Sequence, residues 1–175
     1  MMFHKIKLFH KNRAGFTLIE TIVAIAITGI IALGASVSIA QVLNQTTRNN
    51  DYTTASHNAM NALQWMSRDA LMAQTVSGTA GFPLTQALSM KWRGWDNSSY
   101  TANYTLTNGQ LRRVFSDGTN VTTTVIAEDI NPASGMTGCV SDNGTITITI
   151  TSSVGAGAKV IDVTKVREIS SRPNL

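Results

Sequence analysis

The apolar run Phe16–Ala40 constrains this chain more than any other feature. It is 25 residues long and holds one charge, Glu20. About 20 apolar residues suffice to cross the hydrocarbon core of a bilayer. Twelve of the 25 are Phe, Leu, Ile or Val, and together they favour insertion by roughly 4–7 kcal/mol. An acid at mid-helix costs about 2.5–3.5 kcal/mol, and less near an end. Insertion therefore wins, but a carboxylate this early in the span needs a reason to be there. Lys5, Lys7, Lys11 and Arg13 crowd the N-terminal flank. The excess of Lys and Arg keeps that side cytoplasmic and predicts export of everything after the span.

The same leader explains the overall charge. The chain has 14 Lys and Arg against 10 Asp and Glu. From Phe16 onward the two signs balance at 10 each. A basic isoelectric point usually raises nucleic acid as a partner, but here the excess belongs to the leader and nucleic acid is not expected. Cys139 is the only cysteine, which excludes an internal disulfide and any multi-cysteine metal site. Gly138 and Val140 beside it supply no activating base, so an inert structural thiol is the expectation.

A cleaved secretory signal is the main rival for the apolar run. Such signals have an apolar region of about 7–15 residues and then a small-x-small site. Ser38-Ile39-Ala40 offers such a site, which would free a soluble binding module beginning at Gln41. The run is longer than that pattern, and an acid at its start is out of character for it.

Gly15-Phe16-Thr17-Leu18-Ile19-Glu20, behind a short basic leader and ahead of a spanning apolar stretch, resembles the class III signal of type IV pilins and pseudopilins. Arg13 stands two residues before Gly15, where many members place the basic residue next to the glycine. The resemblance implies a prepilin peptidase cutting between Gly15 and Phe16 on the cytoplasmic face, with the apolar stretch retained and the new Phe16 amine N-methylated. Glycine at the cut leaves the backbone open to a protease. An unpaired ammonium at the head of a helix in lipid is costly. The resemblance implies that Glu20 of a neighbouring subunit neutralises it and sets the axial stagger of assembly. The alternative is that Glu20 only favours its own helix N-terminus, an effect of about 0.3–1 kcal/mol. Ala24, Thr28, Ala32, Ser36 and Ala40 recur every four residues as a ridge of small side chains that lets apolar helices approach closely. The partners implied are the peptidase, other pilin or pseudopilin subunits, an inner-membrane assembly platform and membrane lipid.

Beyond Ala40 the helical signal continues. Leu43, Tyr52, Ala55, Ala59, Leu63, Met66, Ala70 and Ala73 recur mostly three or four apart, and no Pro or Gly occurs from Ala35 to Ser77. One helix from Phe16 to about Thr75 is expected, ended by Gly78 and Gly81-Phe82-Pro83, with Met60, Trp65, Met66 and Met72 in the core. The Asn-rich stretch Asn44–Asn50 reads as the joint between span and domain. Then come Thr- and Val/Ile-rich runs: Leu88–Trp92, Tyr100–Leu106, Leu111–Phe115, Val121–Ala127, Thr145–Thr151 and Val160–Val166. Turn signals at Asn108-Gly109 and Asp117-Gly118 separate some of them, and Asn131–Gly144 reads as a loop. A Thr-rich edge strand is open to pairing with a neighbour.

The expected class is α+β and pilin-like: a long N-terminal helix, membrane-spanning in its first half, against an antiparallel sheet. Its parts are a leader (1–15), a span and filament-core helix (16–40), an amphipathic helical continuation (41–77) and a sheet region (78–175). Leu63–Leu71 and Asn108–Arg113 are similar to the J class of type II secretion and to minor pilins. The C-terminal cysteine pair of many major pilins is missing.

Nothing in the sequence is spaced for catalysis, for a metal or for a cofactor. A nucleophile–base–acid set would need His57, on the predicted helix. Gly155-Ala156-Gly157 lacks the helix and lysine of a phosphate loop, and Asp142-Asn143-Gly144 lacks the ligand series of a calcium loop. A structural, non-enzymatic role is expected. Lys91, Arg93, Arg112 and Arg113 could form a small basic patch of the kind a DNA-contacting minor pilin needs, although a solvated hairpin face explains them equally well.

Overall fold

The computed structural model describes residues 15–78, 88–142 and 144–170. The basic leader before Gly15, the Gly81-Phe82-Pro83 stop signal and Asn143 lie outside them. The chain divides into two compact units, Met1–Gln45 and Thr46–Leu175. The division falls inside the Asn-rich stretch read as the joint.

The described part of the first unit is helix from Leu18 onward. α1 spans Leu18–Met72, and its residues up to 45 belong here. Every described residue of this unit is exposed. The helix is long and apolar enough to cross a membrane, and none of its apolar window is buried against protein.

The second unit holds the rest of α1 and, among the described residues, eight strands. β1 (Thr75–Ser77), β2 (Leu88–Arg93), β3 (Ser99–Thr107), β4 (Gln110–Ser116) and β5 (Val121–Ala127) form a five-stranded antiparallel meander in chain order. β6 (Gly138–Asp142), β7 (Thr145–Val154) and β8 (Ile161–Ser170) form a second, three-stranded meander. One hydrophobic core serves the helix and both sheets. The helix contributes Ala59, Ala62, Leu63, Met66 and Ala70, the first sheet Leu88, Met90, Ala102, Tyr104 and Leu111, and the second Cys139, Ile146, Ile148 and Ile150. The Thr–Ile alternation of β7 buries its isoleucines and keeps the intervening threonines nearer solvent, as the period of two requires. Small residues dominate the buried helix face, so backbone and sheet approach closely.

Several expectations are corrected. The helix stops at Met72 rather than near Thr75, and Thr75–Ser77 becomes an edge strand instead of a last helical turn. The exit is built from hydrogen bonds: Ala73 N donates to Asp69 O at 2.9 Å, and Gln74 N to Lys91 O of β2 at 2.9 Å. Part of the stretch read as a loop, Gly138–Asp142, is a strand, because Cys139 has a buried place to fill beside Ile148. Two sheets replace the single one. Met60 and Met72 are exposed rather than core, and Leu43 and Tyr52 of the helical apolar pattern are exposed too. The buried arc of the helix is narrower than the apolar pattern, which left room for more residues than the sheets cover.

Candidate functional site

Gly15, Phe16 and Thr17 precede the first helical turn. All three are exposed, Phe16 by 89%. A side chain at Gly15 would meet nothing within 4 Å, so the backbone there is open to an approaching protein. Thr17 is the N-cap and Glu20 the third helical residue. Thr17 Oγ1 accepts from Glu20 N at 3.3 Å, while Glu20 Oε2 accepts from Thr17 N at 2.9 Å and from Thr17 Oγ1 at 2.9 Å. This reciprocal pair is a capping box, which satisfies helix-end N–H groups that have no partner within the helix. The box goes beyond the helix-dipole role expected of Glu20. Its signal, Thr-x-x-Glu ahead of an apolar run, was there to be read.

Residues 10–36 match the family model described as the prokaryotic N-terminal methylation motif. The chain carries the class III signal of type IV pilins and pseudopilins. No curated protein and no solved structure matched the chain. Within the methylation motif Phe16 and Glu20 are both exposed, and among the described residues no ion pair forms at Glu20.

The small-residue row lies just after the box, partly inside the motif. Ala24, Thr28, Ala32, Ser36 and Ala40 are all exposed. Thr28 Oγ1 donates to Ala24 O at 2.8 Å and Ser36 Oγ to Ala32 O at 2.8 Å. Both hydroxyls are thus satisfied within the helix itself, and the row can meet apolar surroundings without stranding a donor. Gly29 and Gly34 also have open space where a side chain would stand.

The basic residues of the first sheet do not act together. Arg113 points inward and pairs with buried Asp69 of α1. Lys91, Arg93 and Arg112 are exposed. Arg93 Nη1 donates to Asn97 Oδ1 at 2.9 Å, and Arg112 Nη2 to Gln110 Oε1 at 2.9 Å. Among the described residues no three or more His, Cys, Asp or Glu gather where they could hold a metal. His57 is exposed on α1. Cys139 is buried, and burial pushes its thiol up to about 11, well away from a reactive thiolate.

Proposed function

We propose that this chain is a non-enzymatic subunit of a type IV pilus or a related secretion pseudopilus, in a minor or initiating position. A prepilin peptidase cuts after Gly15, and Phe16 becomes the N-methylated N-terminus. The subunit waits in the cytoplasmic membrane with its amino end on the cytoplasmic side and the sheet domain outside. An inner-membrane assembly platform then moves it into a filament whose core is the Phe16–Ala40 helix. One observation carries this proposal: a carboxylate, Glu20, held at the start of an exposed apolar helix inside the methylation motif.

The capping box defines how Glu20 does its work. The peptide N–H of Thr17 survives cleavage between Gly15 and Phe16, so Glu20 keeps its local bonds and its carboxylate stays fixed near the helix head. Its charge then neutralises the Phe16 ammonium of a neighbouring subunit, which lipid leaves without a counter-ion. The row from Ala24 to Ala40 lets the neighbouring helix come close enough for that pairing.

Intact-mass analysis after coexpression with a prepilin peptidase tests the processing. The expected product starts at N-methylated Phe16; a Gln41 start would show a soluble secreted module instead. Two substitutions then separate charge from cap. Gln serves at this capping-box position as well as Glu, so Glu20→Gln keeps the box and removes the charge. Thr17→Val removes both hydroxyl bonds of the box, leaves only the backbone donor of residue 17, and keeps the charge. Filament incorporation should be lost in Glu20→Gln and largely kept in Thr17→Val. Equal loss in both would reduce Glu20 to a helix cap.

A further inference from the structure

The edges of the two sheets are protected unequally. β1 is three residues long, and β8 carries Asp162, Lys165, Arg167 and Glu168. β6 is five residues long and ends on Asp142. β5 has none of these protections. Val121-Thr122-Thr123-Thr124-Val125 is uncharged and free of proline, and all five residues are exposed. Val121 is 68% and Val125 43% exposed. The strand pairs with β4 on one side, Val121 opposite Ser116 and Val125 opposite Arg112. Among the described residues no strand pairs with its other side. Uncharged, unpaired edges of this kind are templates for strand addition.

The sequence of the edge names its occupant, because Val-Thr-Thr-Thr-Val reads the same in both directions. An antiparallel copy centred on Thr123 puts Val121 opposite Val125, Thr122 opposite Thr124 and Thr123 opposite itself. Directly opposite residues share a face in an antiparallel pair, and Val–Val and Thr–Thr are both favourable cross-strand pairs. No charged side chain meets a like charge within these five positions. A two-fold axis demands this self-complementarity, since both partners present the same patch.

We infer that β5 is a self-association edge: two copies of this chain pair antiparallel through Val121–Val125 and join their five-stranded sheets into one. The proposal does not depend on entry into a filament. Five residues a side form a patch well below the roughly 800 Å² per partner of a standard interface. The pairing therefore suits copies already concentrated by a shared membrane, where a second contact gains from effective concentration.

Disulfide trapping of the full-length chain in membranes tests it, in a Cys139→Ala background so that the introduced thiols are the only ones. Thr123 lies on the two-fold axis, where opposed residues stand about 4.5–5.5 Å apart, within disulfide reach. Two copies of Val121 lie four residues apart along the strand, about 14 Å at ~3.4 Å per residue, beyond reach. Under mild oxidation Thr123→Cys should give at least tenfold more covalent dimer than Val121→Cys. The double change Val121→Cys with Val125→Cys should restore crosslinking. Adding Val121→Lys and Val125→Lys to Thr123→Cys should cut the dimer at least tenfold, with the circular dichroism spectrum unchanged. Equal crosslinking from Thr123→Cys and Val121→Cys, no dimer from Thr123→Cys, or a dimer indifferent to the paired lysines would each overturn the proposal. Light scattering on the detergent-solubilised chain without cysteine substitutions gives an independent reading. A dimer that the two lysines dissociate supports the edge, and one that they leave intact rules it out.

Discussion

Arg113 of β4 grips Asp69 of α1 with two nitrogens: Nε donates to Oδ2 at 2.7 Å and Nη2 to Oδ1 at 2.9 Å. Both side chains are largely buried, 12% and 5% exposed. Two further contacts hold the guanidinium, which lies 4.5 Å from the Phe115 ring centre and 5.2 Å from that of Trp65. Tyr104 donates its hydroxyl to Asp69 Oδ2 as well. The second half of the helix is thus fixed to the first sheet by one carboxylate with three donors.

Removing one member of a buried ion pair leaves the other charge uncompensated, at a cost of about 3–5 kcal/mol. Asp69→Asn should destabilise the second unit by that amount. Arg113→Lys keeps the charge but loses the planar fork and the ring stacking, so a smaller loss is expected. Urea unfolding of the full-length chain in detergent, followed by tryptophan fluorescence, reads both, since Trp65 sits beside the guanidinium. A change under 1 kcal/mol for Asp69→Asn would mean that the pair does not hold helix to sheet.

Part of this clamp could have been read in the sequence and part could not. In Leu111-Arg112-Arg113-Val114-Phe115 the period of two puts Leu111, Arg113 and Phe115 on one face. That period turns Arg113 inward with Leu111 and Phe115, whereas reading it together with Arg112 as a solvated hairpin face or basic patch left it outside. Asp69 lies three residues after Met66, inside the buried arc of the helix, yet nothing local shows that a carboxylate there finds an arginine 44 residues on. The methylation motif and most strands were legible because their signals are contiguous. β1 and β6 were not: three residues carry no period, and Gly138 with Asp142 disguises a strand whose reason to form is a distant buried slot. The division into two sheets is likewise a matter of long-range pairing, which turn chemistry does not encode.

Tyr104 makes the clamp sensitive to alkali. Burial first, and then the charge of Asp69, push its phenol well above the ordinary tyrosine value near 10. Above about pH 10 the unfolded chain releases this proton while the folded chain holds it. Stability therefore falls with rising pH from that point. Measured in a Cys139→Ala background, because the buried thiol also titrates in this range, Tyr104→Phe should remove most of this alkaline slope. At neutral pH it should cost about 1.5–3 kcal/mol, the usual range for a hydrogen bond to a charged group. Unfolding midpoints of both proteins between pH 8 and 11 measure the two effects together. Parallel curves would show that Tyr104 is not the titrating group.

Cys139 should behave as a core residue. With its thiol raised to about 11 by burial and 2% exposed, it should resist a maleimide or disulfide reagent at pH 8 in the folded chain. It should react within the mixing time in denaturant. Fast labelling of the folded chain would place it at the surface and remove β6 from the core.

The β3–β4 hairpin depends on backbone rather than contact. Asn108 has φ 51° and Gly109 φ 76°, the two left-handed residues that a tight two-residue turn between twisted strands requires. A side chain at Gly109 would meet Ile130 O no closer than 3.7 Å, an ordinary contact. The penalty for Gly109→Ala is therefore conformational, about 1–2 kcal/mol for a residue with a Cβ in this region. Asn tolerates the same region better than other residues with side chains, so Gly109→Asn should cost measurably less than Gly109→Ala despite its larger size. The reverse order, with the bulkier residue worse, would mean that space at Ile130 and not the backbone angle fixes this position. Paired unfolding curves of the two variants decide it.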